Sequence, residues 1–162
     1  MRWLAVVSVV LLGLVTGGTA AATFGTDDYP YRAAAVDRGD AWGFLTRECT
    51  SFVAWRVHVD LGVTDFTNHY RGGHFGDARN WAANARRIGL RVDSTPTKGA
   101  VAVFPPGVAG AGGYGHVAIV LSSTQNTVTV EDYNFEDDWN NYRPYRYGQH
   151  TEPARSLSFV HF

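Results

Sequence analysis

Arg47-Glu48-Cys49-Thr50-Ser51-Phe52-Val53-Ala54-Trp55-Arg56 holds the single cysteine of the chain. In an exported protein a lone thiol has no partner for an internal disulfide, which leaves three roles: intermolecular linker, inert core residue or reagent. The stretch reads as a helix. Thr46 is a candidate N-cap, and the helix is expected from about Arg47 to about Val59. Phe52, Val53, Arg56 and Val57 follow a spacing of three and four that turns a mostly apolar face inward. Val53, Val57 and Val59 are weak helix formers, so tertiary packing has to stabilise the segment. A cysteine in its first turn meets unpaired backbone amides and the positive end of the helix dipole, and both favour a thiolate.

Working outward, residues 62–76 form a loop long enough to serve as a functional rim. Asp77 is placed to cap a second helix, Ala78 to Ile88, with Trp81, Ala82, Ala85 and Ile88 on one stripe and Gly89 at its end. Beyond Pro96 the period changes to that of strands, at Ala100 to Phe104, Gly115 to Ser122, Thr127 to Tyr133 and Ser156 to Phe162. Thr124-Gln125-Asn126 makes the middle two an antiparallel hairpin. Helices first and strands afterwards predict a segregated α+β domain, with N-terminal helices packed on a C-terminal antiparallel sheet. No internal repeat or second domain is visible.

The 162 residues, 45% hydrophobic and 18% charged, fit one globular domain. Fourteen Lys and Arg against fifteen Asp and Glu give a formal charge of −1, so no basic surface offers itself to nucleic acid or to an anionic membrane. At the N-terminus, Arg2, an apolar run from Leu4 to Val15 and the small residues Thr19-Ala20-Ala21-Ala22 predict a signal peptide over residues 1–22. That apolar core is shorter than the ~20 residues of a spanning helix, so no membrane attachment is expected after cleavage. Residues 23–39, with Tyr29-Pro30-Tyr31, read as an extended arm, and residues 40–162 as the domain.

A nucleophilic thiol needs a proton acceptor. Gly115-His116-Val117-Ala118-Ile119-Val120 starts a buried strand after the glycine-rich Gly110 to Tyr114, which sets the His116 imidazole at the lip of a rigid sheet. In the next strand Val128, Val130, Asp132 and Asn134 share one face, and Thr129, Glu131 and Tyr133 share the other. Asp132 or Asn134 could then accept the second N–H of His116 and fix its tautomer. Glu131 is the rival if a bulge flips the register. Against this triad stands an inert core thiol at Cys49 beside a structural histidine at His116.

Trp42, Tyr114 and Trp139 are candidate groove residues for a glycan or peptide. His69 and His74 lack a third ligand at metal-site spacing, and the run Glu136-Asp137-Asp138 reads as a solvated loop. No metal site and no cofactor are expected.

Five stretches in order resemble the CHAP domain, the cysteine and histidine dependent amidohydrolase or peptidase family of the papain-like and NlpC-type enzymes. They are Glu48 to Trp55, Phe75-Gly76-Asp77-Ala78-Arg79-Asn80-Trp81-Ala82, Pro96 to Phe104, Gly115 to Val120, and Val130-Glu131-Asp132-Tyr133-Asn134-Phe135. The resemblance implies a papain-like fold and hydrolysis of an amide bond in peptidoglycan, between sugar and stem peptide or within the peptides. It implies Cys49 as nucleophile, His116 as base and then acid, and Asp132 and Asn134 as its orienting pair. A secreted, wall-associated monomer acting on peptidoglycan without a cofactor is the resulting expectation. The chain departs from the family where many members carry Gln before the cysteine, since Glu48 stands here. Of the acidic residues that some relatives use for calcium, only Asp37 and Asp40 are present. A catalytically silent wall-binding module on the same fold, or a secreted partner linked through Cys49, are the alternatives.

Overall fold

The computed structural model describes residues 23–135 and 144–162. The expected signal peptide, the acidic run Glu136 to Asp138 and Trp139 lie outside the described residues. Among the described residues ten elements follow in order: helix α1 (Cys49–Val59), a 3-10 turn (Tyr70–Gly72), a second 3-10 turn (Ala78–Asn80), helix α2 (Trp81–Arg87) and six strands. The strands are β1 (Arg91–Asp93), β2 (Val101–Phe104), β3 (His116–Ser123), β4 (Thr127–Tyr133), β5 (Tyr147–Pro153) and β6 (Ser158–His161). They form one antiparallel sheet in the order β1-β6-β2-β3-β4-β5. Helices precede strands, which makes the domain the segregated α+β type expected.

Alternation along the strands builds two cores. Val101, Val103, Val117, Ile119, Tyr133 and Val160 face the helices, and α1 lies across β3 and β4 while α2 lies against β1 and β6. Ala102, Phe104, Ala118, Val120, Val128 and Val130 face the other way into a smaller cluster closed by Leu157 and Phe159. Helix α1 is buried around most of its girth, including Ser51 and Arg56. That burial explains how a valine-rich segment stays helical.

The helix begins two residues later than expected. Arg47 adopts a left-handed φ of 66°, Glu48 takes the N-cap position, and Cys49 is the first helical residue. Thr46 is not the cap, because its hydroxyl donates to Ala35 O and accepts from Arg38 N. Arg47 is held out of the helix by guanidinium bonds to Tyr145 O and Ala34 O. The second helix also differs at its start: Asp77 makes no capping bond, and the turn Ala78–Asn80 is 3-10 before α2 begins at Trp81. Its end is as expected, with Gly89 at a φ of 81°.

The segment before α1 docks onto the sheet. Tyr29 is fully buried and hydrogen-bonds Ser51 of α1, Gly25 N donates to Glu131 Oε2 at 2.8 Å, and Tyr133 OH donates to Asp27 at 2.6 Å. The loop after α1 is not merely a rim, since Phe66, Tyr70 and Phe75 insert into the helix-side core.

Gly115 fixes how the second 3-10 turn meets the sheet. It has a φ of 72°, and a Cβ there would lie 2.8 Å from Phe104 O and 2.9 Å from Arg79 N. Arg79 N donates to Tyr114 O at 2.8 Å. The backbone just before His116 is thereby sealed against the start of the second helical segment.

Candidate functional site

Cys49, at the N-terminus of α1, and His116, the first residue of β3, meet at the end of the sheet beside a cleft of about 540 Å³. Glu48, Ala78, Tyr114, Gly115 and Asn134 contribute to its walls. Cys49 is a free thiol with 7% of its surface exposed, and His116 is 3% exposed.

His116 Nε2 lies 2.9 Å from Asp132 Oδ2. A carboxylate oxygen only accepts, so Nε2 carries the hydrogen and Nδ1 is left for Cys49, with which the imidazole also hydrogen-bonds. Burial alone would push the His116 pKa down, yet the charges of Cys49 and Asp132 and their hydrogen bonds push it up to about 10. Asp132 is fully buried. Desolvation raises its pKa, but the His116 charge and the hydrogen bonds from His116 and His150 leave it below the ordinary carboxylate range.

The register decides between the acidic rivals. The irregularity in the β3–β4 pairing falls between Val120 and Ser122, on β3, and leaves the alternation of β4 intact. Asp132 therefore points to His116, while Glu131 points under α1 to Arg56 at 2.9 Å. Asn134 reaches the cleft but does not orient His116 as expected. It turns the chain at a φ of 58°, donates to Glu48 Oε2 at 3.0 Å and accepts from Tyr145 N at 2.8 Å.

Among the groove candidates, Tyr114 stands at the rim, 70% exposed, with the Arg79 guanidinium 5.3 Å from its ring centroid. Trp42 does not line the cleft. It packs against Tyr31 and His58 at 5.6 and 5.5 Å, where its indole serves the core. His69 and His74 stack with ring centroids 5.0 Å apart, and among the described residues no third ligand joins them. Asp40, one of the two acidic residues weighed for calcium, spends Oδ1 on the backbone amides of Trp42 and Phe44.

The one group of described residues with metal-ligand geometry is His116, Asp132 and His150, whose ligand atoms lie within 4.8 Å of one another. An ion there would have to displace the hydrogens that join the two histidines to Asp132, and it would take His116 away from Cys49. His150 is the residue that the sequence reading missed. Its signal is the alternation Gly148, His150, Glu152 in a segment too polar to announce itself as a strand.

Glu48 brings negative charge to the cleft. Burial raises its pKa, the Asn134 hydrogen bond opposes that rise, and Asp37 adds to it. A raised carboxyl pKa means that Glu48 stays neutral to higher pH than an ordinary glutamate and becomes an anion beside Cys49 only above that value. Glu48→Gln keeps an oxygen for Asn134 and removes the charge. It should therefore speed alkylation of Cys49 roughly three- to tenfold at pH 8. The advantage should vanish as pH falls and the wild-type carboxyl takes its proton; rate constants with iodoacetamide across pH 5–9 measure both.

The CHAP domain family matches residues 39–134, and the chain belongs to it. The "Staphylococcal secretory antigen ssaA2" of Staphylococcus aureus is 34% identical over 93 residues, 57% of this chain and 29% of that protein. The "Probable autolysin LDP" of the same organism is 33% identical over 106 residues, 65% of this chain and 33% of that protein. A crystal structure of N-acetylmuramoyl-L-alanine amidase from Staphylococcus aureus superposes with a TM-score of 0.58 at 25% identity, over 73% of this chain and 31% of that one. The matches thus span about a third of each relative, and the papain-like fold of the family is the fold of this chain.

Proposed function

We propose that the chain is an exported cysteine amidohydrolase that cuts an amide bond of peptidoglycan. The observation that carries the reading is the connected set Cys49, His116 and Asp132 at a cleft, with a cysteine at a helix N-terminus and a histidine whose Nε2 is engaged by a buried carboxylate. The named autolysin and amidase relatives support peptidoglycan as the substrate.

In this mechanism the Cys49 thiolate attacks the amide carbonyl while His116 holds the proton. The backbone N–H at the start of α1 is placed to stabilise the developing oxyanion. His116 then gives its proton to the leaving amine, and with Asp132 holding Nε2–H it activates the water that releases the acyl group. Residues 1–22 are the proposed export signal, the active protein is proposed to be a monomer at the wall, and Tyr114 is the proposed platform for substrate.

Mass spectrometry of fragments released from purified wall tests the proposal. New amino termini on intact stem peptides separated from glycan indicate an amidase, and shortened or uncrosslinked stems indicate an endopeptidase. Wall that binds the protein and yields neither product would identify a silent binding module and overturn the reading.

A further inference from the structure

Gly148, His150 and Glu152 alternate along one face of β5, across from Asp132, Val130 and Val128 of β4. Gly148 stands directly opposite Asp132, and a Cβ there would come within 3.3 Å of Asp132 Oδ1. The missing side chain leaves room for the next residue on that face to lean across, since diagonal neighbours in an antiparallel pair are within reach of long side chains. His150 takes that diagonal. Its Nε2 lies 2.6 Å from Asp132 Oδ2, the oxygen that also meets His116 Nε2 at 2.9 Å. Its Nδ1 lies 3.0 Å from Glu152 Oε1.

Proton counting sets the charge on His150. A nitrogen that faces a carboxylate oxygen must carry a hydrogen. His116 spends one hydrogen on Asp132 and keeps its other nitrogen for Cys49. His150 faces a carboxylate with both nitrogens, so it holds two hydrogens and is an imidazolium. Burial works against that charge, and the hydrogen bonds and charge of Asp132, with the bond to Glu152, outweigh it to leave the pKa raised. Among the described residues, the titratable groups that face the ring are Asp132 on β4, His116 on β3 and Glu152 on its own strand. Phe135 covers it in parallel at 4.1 Å and 9°, and Phe104 lies at 6.3 Å, so the pair is walled by aromatic rings.

We propose that His150 is a positioning residue of this site, an imidazolium anchored by Glu152 that clamps the Asp132 carboxylate through the same oxygen that serves His116. The inference deepens the amidohydrolase reading and rests on it. Two effects follow. The carboxylate loses its freedom to rotate, which fixes the plane and tautomer of His116. The cation also shares the negative charge of Asp132, so His116 is favoured as an imidazolium less than a lone carboxylate would favour it. It therefore gives up its proton to a leaving amine more readily.

His150→Phe and His150→Gln separate these effects. The measurements are melting temperature, the pH profile of Cys49 alkylation by iodoacetamide, and kcat and KM on a soluble muropeptide. His150→Phe should lower kcat by roughly tenfold or more, the scale seen when a group that orients a functional histidine is removed, with KM little changed. His150→Gln still offers an N–H to Asp132 Oδ2 and should recover most of kcat. In that variant the alkaline limb of the alkylation profile, which follows the His116 proton, should move to higher pH because a neighbouring cation is gone. Equal losses in the two variants that follow their loss of melting temperature, or a glutamine profile identical to wild type, would overturn the role. If wild-type Cys49 neither alkylates at neutral pH nor releases wall fragments, the amidohydrolase reading has failed. An active wild type with indistinguishable variants removes His150 alone.

Discussion

Cys49→Ala is expected to abolish release of wall fragments, with a fall in turnover on the order of 10⁴ or more, the scale reached when a nucleophile is removed from a site whose members act as a unit. The substitution removes one sulfur from a position already 7% exposed at the edge of the core, so the fold should survive with a loss of about 1 kcal/mol. Cys49→Ser is the sharper control, because it keeps a polar atom in place and loses only the easily formed anion. Both variants should keep wild-type far-ultraviolet circular dichroism. Wall hydrolysis by either protein at more than a few per cent of the wild-type rate would remove Cys49 from the chemistry and the mechanism with it.

The largest expected effect on stability lies 75 residues apart in sequence, at Arg56 and Glu131. Arg56 is completely buried. Its Nε and Nη2 meet Glu131 at 2.9 and 3.1 Å, Nη1 meets Asp60 at 2.8 Å, and Nη2 also donates to Thr26 O at 2.8 Å. The guanidinium lies 4.3 Å from the Trp55 ring centroid. Arg56→Met leaves Glu131 buried without its cation and should cost about 3–5 kcal/mol in denaturant unfolding. Adding Glu131→Leu should restore part of that loss, since one of the two stranded buried carboxylates is then gone, although Asp60 still lacks its cation and Gly25 N and Tyr147 OH lose an acceptor.

The pH dependence of the single variant carries a definite sign. Burial already raises the Glu131 pKa, and Arg56 opposes the rise. Without Arg56 the folded-state pKa climbs further above its unfolded value of about 4.3. For an acid raised on folding, stability is lost as pH increases from the unfolded value through the folded one. Arg56→Met should therefore approach wild-type stability near pH 4 and fall away from it towards neutrality.

Residues whose neighbours are close in sequence could be read before the structure. The helix around Cys49, the hairpin of β3 and β4 and the end of α2 at Gly89 all follow from local apolar period or from a glycine at a positive φ. Alternation alone put Asp132 and Asn134 on one face, either of them a partner for His116; the irregular pairing falls on β3 and leaves that face intact, and it is Asp132 Oδ2 that lies 2.9 Å from His116 Nε2. Features set by distant partners stayed hidden. Arg47 breaks the helix start because its guanidinium is bound by Tyr145 O, 98 residues away. Among the described residues, strand β5 pairs with β4 alone, and it mixes Gly148, Gln149, His150 and Glu152, so neither apolar period nor β-branched content marks it. Trp42 looked like a groove residue because its type suits one, yet its ring is used by Tyr31 and His58.

The contact between Gly115 and Arg79 bears on how this cleft can evolve or be redesigned. Backbone meets backbone there, so that wall has no side chain to trim or enlarge, and mutation cannot retune its width by small steps. Selectivity for a different substrate would have to be written elsewhere, in the exposed ring of Tyr114 or in Glu48 and Asn134, which also line the cleft. The spacing between the second helical segment and His116 would pass unchanged into every variant that still folds.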